Sequence, residues 1–124
     1  MPSPPIVGDP LPRAAEAYGI TEKLMTYSLN LDHRRGGPKA RGFQQILGIV
    51  LADVDYLAHI LRTGIISASI TDIRDAPESS FVCEIRVPVA GLRERSERVA
   101  SVKTGWHLRH AGDRPRLVTA YISG

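Results

Sequence analysis

From His33 to Phe43 the chain reads His-Arg-Arg-Gly-Gly-Pro-Lys-Ala-Arg-Gly-Phe, which gathers one imidazole and the cations Arg34, Arg35, Lys39 and Arg41 around a Gly36-Gly37-Pro38 corner. Histidine titrates near neutrality and can give or take a proton, while lysine and arginine stabilise anions. Proline suits the first turn of a helix, and the free N–H groups of that turn would lie beside Lys39 and Arg41, where a phosphate would be favoured. The same residues also describe a basic, solvated loop before a helix. RNA cleavage without a metal needs a base for the ribose 2′-hydroxyl, an acid for the leaving 5′-oxygen and cations around the transition state. His33, Lys39, Arg86 and Lys103, with the hydroxyls of Thr104, Thr119 and Tyr121, supply these types. Any small basic domain offers some such set, so the inventory alone does not separate catalysis from binding.

Other reaction classes lack their residues. There is no glycine-rich Walker loop, no Gly-x-Ser-x-Gly elbow and no His-Glu-x-x-His helix. No Cys/His spacing suits a metal, and no cofactor is expected. Cys83 is the one cysteine and lies in an apolar run, which predicts a small buried residue in a chain that folds in a reducing compartment, the cytoplasm. Sixteen Lys plus Arg against thirteen Asp plus Glu give a net charge of +3, which permits an anionic partner without demanding one. Aromatics interleaved for base stacking are absent, so RNA would be read through its phosphates and shape. No segment approaches the roughly 18 apolar residues of a membrane span, and the first residues lack a basic stretch followed by an apolar core; a soluble chain with no signal peptide of its own that does not engage membranes is expected.

The elements that must hold these residues follow from period and punctuation. Residues 1–12 carry five of the nine prolines and are expected to be an extended lead; residues 13–124 form a single domain. After a short extended piece at 15–20, Thr21 is the expected N-cap of a helix over 22–29. A second helix is expected over 39–47, with Phe43, Ile46 and Leu47 inward and Gly48 closing it. A third spans 52–63 with Gly64 as its stop, and His59 lies on its polar side. From residue 65 the period becomes two, and turn residues cut the remainder into strands at 67–73, 80–89, 98–109 and 116–122. Short connections predict an antiparallel meander, so the fold class is α+β, helices first and sheet second. Phe81, Cys83, Ile85 and Val87, then Ala100, Val102, Trp106 and Leu108, then Val118, Ala120 and Ile122 form the face the helices must cover. The other face carries Glu84, Arg86, Lys103, His107, Thr119 and Tyr121. Thr104 falls on the apolar side unless a bulge near Gly105 turns it.

The order of residues carries a resemblance. Lys23-Leu24, Tyr27-Ser28-Leu29-Asn30, His33, Gly36-Gly37, Lys39-Ala40 and Phe43 are similar to the signature K-L-x-x-Y-x-L-N-x-x-H-x-x-G-G-x-K-A-x-x-F of a family of small bacterial domains. Val102-Lys103-Thr104-Gly105-Trp106 and Pro115-Arg116-Leu117-Val118-Thr119-Ala120-Tyr121 resemble the last two strands of that family. The likeness spans about residues 14 to 122, with Leu31 in place of the usual proline. Members occur free-standing and as C-terminal tips of contact-dependent inhibition and other polymorphic toxins, whose fold resembles the barnase, EndoU, colicin and RelE group of metal-independent ribonucleases. The resemblance therefore implies a toxin effector that cleaves tRNA or another structured RNA by 2′-hydroxyl attack and is answered by an immunity protein with an acidic face. His33, Lys39, Lys103, Thr104 and Thr119 would be catalytic. Tyr121 would bind substrate, joined by Arg86 on the polar face and by Arg34, Arg35 and Arg41 in the basic loop. The alternative is a non-catalytic module that binds RNA or protein.

Overall fold

Three helices precede a four-stranded antiparallel sheet in the computed structural model, which describes residues 2–123. Met1, at the start of the expected lead, and Gly124, at the end of the expected domain, lie outside the described residues. Helix α1 (Ile20–Lys23) starts from Gly19, whose φ of 74° suits a residue without a Cβ, so Thr21 lies inside the first turn and is not the N-cap. It continues as a π turn (Leu24–Ser28), with the Leu29 N–H donating to the Leu24 carbonyl at 2.8 Å. Helix α2 begins at Gly36 rather than Lys39 (Gly36–Gly42) and also runs into a π turn (Phe43–Leu47). The wider turn changes the phase of its inner face and leaves Ile46 exposed. Gly48 ends it as expected: φ is 65°, the Gly48 N–H donates to Gln44, and the Ile49 N–H donates back to Phe43.

Helix α3 (Val54–Ser67) runs straight through Gly64, which is not its stop. A Cβ at Gly64 would stand 2.6 Å from Val87 Cγ1, so this glycine lets α3 approach the sheet closely. Because the helix extends to Ser67, the first strand is β1 (Asp72–Ala76) rather than 67–73. Ile70 pairs instead with the N-terminal lead, accepting from the Gly8 N–H at 2.9 Å and donating to the Asp9 carbonyl at 2.8 Å. The lead is not extended throughout: it turns at Val7-Gly8, where the Asp9 N–H donates to the Ile6 carbonyl at 3.1 Å, and it is docked, with Leu11 buried. Residues 15–20 are not extended throughout: a 3₁₀ turn (Ala14–Glu16) comes first, and Tyr18 then makes a single parallel bridge to Arg116.

β2 (Ser80–Ala90), β3 (Val99–Leu108) and β4 (Arg116–Ile122) complete the sheet in the order β1-β2-β3-β4. Cys83, Ile85, Val87 and Val89 of β2 and Val102, Trp106 and Leu108 of β3 are buried under the helices with Leu24, Phe43, Leu47, Leu57, Leu61 and Ile65. Burial pushes the Cys83 thiol up to about 11, which makes it a packing residue. The register slips between Gly105, opposite Thr119, and Trp106, opposite Leu117, so Val118 is the extra residue. Leu117, not Val118, therefore enters the core, while Thr119 stays on the polar face. At the β3–β4 turn the buried Asp113 carboxylate accepts from Arg109 Nε (2.8 Å) and from the Arg109 and Arg114 backbone N–H groups, and the Arg109 guanidinium holds it well below the usual carboxylate range.

Candidate functional site

α2 starts where it does because His33 caps it. His33 Nδ1 accepts from the backbone N–H groups of Arg35 (3.1 Å) and Gly36 (3.0 Å), and its carbonyl accepts from Gly37 at 2.7 Å. The N–H groups expected to await a phosphate are thus already satisfied. The same corner is held shut by contact: a Cβ on Gly36 would stand far inside contact distance of the Tyr27 carbonyl oxygen, and one on Gly37 would lie 2.8 Å from the Leu31 carbonyl. The His33 ring stands edge-on to Tyr27 with centroids 4.9 Å apart, and Lys39 Nζ donates to the Tyr27 hydroxyl at 2.5 Å. His33 does not line the cleft that Lys39 enters, so its expected proton-transfer role gives way to positioning.

That cleft, about 350 Å³, lies on the open face of the sheet, where Lys39 joins Lys103, Thr119, Tyr121, Glu84, Asp72 and Arg74. The Lys39 and Lys103 ammonium groups stand 5.1 and 5.6 Å from the centre of the Tyr121 ring, so one aromatic carries both cations. The Tyr121 hydroxyl and the Glu84 carboxylate, 3.3 Å from Lys103, hold the Lys103 ammonium above its ordinary value. Burial works to raise the Glu84 carboxyl; the hydrogen bonds from Thr71 (2.5 Å) and Lys103 and the charges of Lys103 and Arg86 (3.5 Å) outweigh it and keep the carboxyl below its ordinary value. The Thr119 hydroxyl is buried and has no hydrogen-bond partner among the described residues.

Other expected site residues take different places. Thr104 borders the cleft, but its side chain is fully buried on the helix side: its hydroxyl donates to the Ile85 carbonyl and accepts from Trp106 Nε1, both at 2.7 Å. The register slip falls after Thr104 and places its extra residue on β4, so nothing turns Thr104 outward. It is a structural residue. Thr104→Val is expected to lose about 1–3 kcal/mol in urea unfolding, because the indole N–H is left without its partner, while activity per folded molecule is retained. Arg34 and Arg35 are exposed on the loop outside the cleft, and Arg41 is exposed on α2 with a guanidinium nitrogen 3.5 Å from where a Gly37 Cβ would be. Arg86 borders the cleft between Glu84 and Ser123 (3.3 Å). The structure thus unites Lys39, Lys103, Thr119 and Tyr121, with Arg86 at the rim, and adds Glu84, Asp72 and Tyr27. Glu84 was legible from strand alternation; Tyr27 carries only the spacing of a core residue, and Asp72 required the true β1 boundary.

Fold and site together define a helices-first α+β domain whose antiparallel meander bears a charged cleft on its open face. The chain belongs to the family described as Domain of unknown function (DUF6883), which matches residues 10–124. No curated protein and no solved structure matches it. Among the described residues no helix is long and apolar enough to cross a membrane.

Proposed function

We propose that the chain is a metal-independent ribonuclease that cleaves by 2′-hydroxyl attack. The observation that carries this reading is the pair of ammonium groups, Lys39 and Lys103, both held near the Tyr121 ring with the Glu84 carboxylate alongside. A phosphodiester placed between the cations draws Lys103 and Arg86 from Glu84, which frees the carboxylate to accept a proton. The 2′-hydroxyl passes its proton to Glu84 as the 2′-oxygen bonds to phosphorus; the bond to the 5′-oxygen breaks, and that oxygen takes a proton from the Lys39 ammonium. The products are a 2′,3′-cyclic phosphate and a 5′-hydroxyl. Exposed Arg34 and Arg35 favour a structured, phosphate-rich substrate such as tRNA. As a toxin effector acting in the cytoplasm the protein would need an immunity partner with an acidic face toward that loop.

The test is incubation with bulk RNA and with tRNA in excess chelator, using wild type and Glu84→Gln. Cyclic-phosphate ends are expected from the wild type and a loss of about a hundredfold or more in the variant. Intact RNA with the wild type overturns the reading. One observation favours a binding module, since Glu84 already has three partners; that reading predicts salt-sensitive retention of RNA that stays uncut.

A further inference from the structure

The open face is striped, and the stripes follow from register. Arg86, Lys103 and Tyr121 lie opposite one another in one cross-strand row. The next row holds Asp72, Glu84, Gly105 and Thr119, and the one after it holds Arg74, Val82 and His107, with Arg116 opposite His107 on β4. Rows on one face are two residues apart, so the backbones of the two cationic rows stand roughly 14 Å from each other along the strands. Among the described residues neither the Arg74 nor the His107 side chain makes a hydrogen bond or an ion pair, whereas the neighbouring Arg109 is committed to Asp113. Arg74 and Val82 join the two regions: both line the cleft, Val82 is paired with both Arg74 and His107, and His107 opens onto the adjoining hollow beside Ser80 and Glu78.

The middle row suits something other than phosphate. Its own residues supply two carboxylates and no cation, with Lys103 and Arg86 reaching Glu84 from the row beside it, and its floor is the bare backbone of Gly105, ringed by Thr119 Cγ2, Val118 Cγ2 and Val82 Cγ1, which would lie 3.0, 3.5 and 3.5 Å from a Cβ there. Carboxylates repel a phosphate and accept hydroxyls; a sugar fits this row. Cation, carboxylate over glycine, cation is the complement of phosphate, ribose, phosphate, which is one nucleotide unit with both its phosphates. If Glu84 takes the 2′-hydroxyl proton, the attacked 3′-phosphate belongs to the Lys39 and Lys103 side. We infer that Arg74 and His107 form a second phosphate subsite, which receives the 5′-phosphate of the nucleotide whose 2′-hydroxyl attacks. The inference rests on the ribonuclease reading for its polarity and on the register alone for the existence of the subsite.

The test compares dinucleotides with and without a 5′-phosphate, the phosphate carried as its methyl ester so that it has the charge of an internal diester. The wild type is expected to show about tenfold higher kcat/KM with the 5′-phosphorylated form, the scale of one charge-assisted hydrogen bond. The ratio is expected to fall to about one in Arg74→Ala/His107→Ala. A wild-type ratio of one, or a ratio that survives in the double variant, overturns the inference. Binding of the uncleavable 2′-deoxy pair, measured calorimetrically, separates the two claims. A preference in binding that is lost in the double variant, with no cleavage of either ribo form, overturns the ribonuclease reading and leaves the subsite standing; equal binding overturns the subsite whatever the cleavage result.

Discussion

Lys39→Ala and Lys103→Ala are each expected to lower kcat on RNA by about 10²–10³-fold, the range measured when a single preorganised donor to a developing anion is removed. Both ammonium groups are fixed before substrate arrives: Lys39 by the Tyr27 hydroxyl at 2.5 Å and the Tyr121 ring, Lys103 by Glu84 at 3.3 Å and the same ring. Preorganisation matters here because a mobile lysine would spend part of its attraction on being ordered. His33→Ala gives the informative contrast. It removes the acceptor for two backbone N–H groups and is expected to cost about 1 kcal/mol of stability as a lost helix cap, with a smaller fall in kcat that follows the displacement of Lys39. Steady-state cleavage together with urea unfolding of the three variants checks this ordering. A fall in kcat for His33→Ala as large as that for Lys39→Ala, at unchanged stability, would return His33 to direct proton transfer and overturn the role given to it here.

The largest effect on the fold is expected from Gly36→Ala. The added methyl would stand far inside contact distance of the Tyr27 carbonyl oxygen and lie 2.7 Å from the Tyr27 carbonyl carbon, which is backbone and has no rotamer through which to retreat. Overpacking against side chains usually costs about 1–3 kcal/mol, and a backbone clash between two helical segments should exceed about 3 kcal/mol. The midpoint of urea unfolding is the measurement. Since Tyr27 and Lys39 sit on the two segments that must separate, loss of cleavage is expected even in the fraction that stays folded. Gly42→Ala is the control, because an added Cβ there meets nothing within 4 Å. Equal stability of the two variants would show that the α1–α2 crossing yields more easily than its contacts indicate.

Much of the layout was readable from local rules. Alternation assigned Glu84, Arg86, Lys103 and His107 to the polar face of the sheet, and the turn residues before Arg116 marked where β4 begins. Boundaries went wrong where a glycine's role depends on a distant neighbour. Gly64 reads as a helix stop until Val87 is seen against it, and Gly36 reads as a loop corner before the helix until the Tyr27 carbonyl is seen to exclude any larger residue there. The β4 bulge, which exchanges Leu117 for Val118 in the core, leaves no mark in a period-two pattern that is apolar at both positions.

For the site, the loop from His33 to Phe43 kept its importance and changed its meaning. Residue type alone makes His33 a proton carrier and Thr104 a hydroxyl on a strand beside it; hydrogen-bond partners make one a helix cap and the other a clasp for Trp106. By itself the sequence determined the α+β class, the order of helices and strands, and the side of the sheet on which Glu84 and Lys103 must lie, because these depend on period and on residues near one another in the chain. Only the tertiary structure decided that Lys39 meets Tyr27 and Tyr121, that His33 stands outside the cleft and that the open face is striped in charge. Those facts depend on helix crossing and strand register, which are set by packing between segments that no local pattern relates.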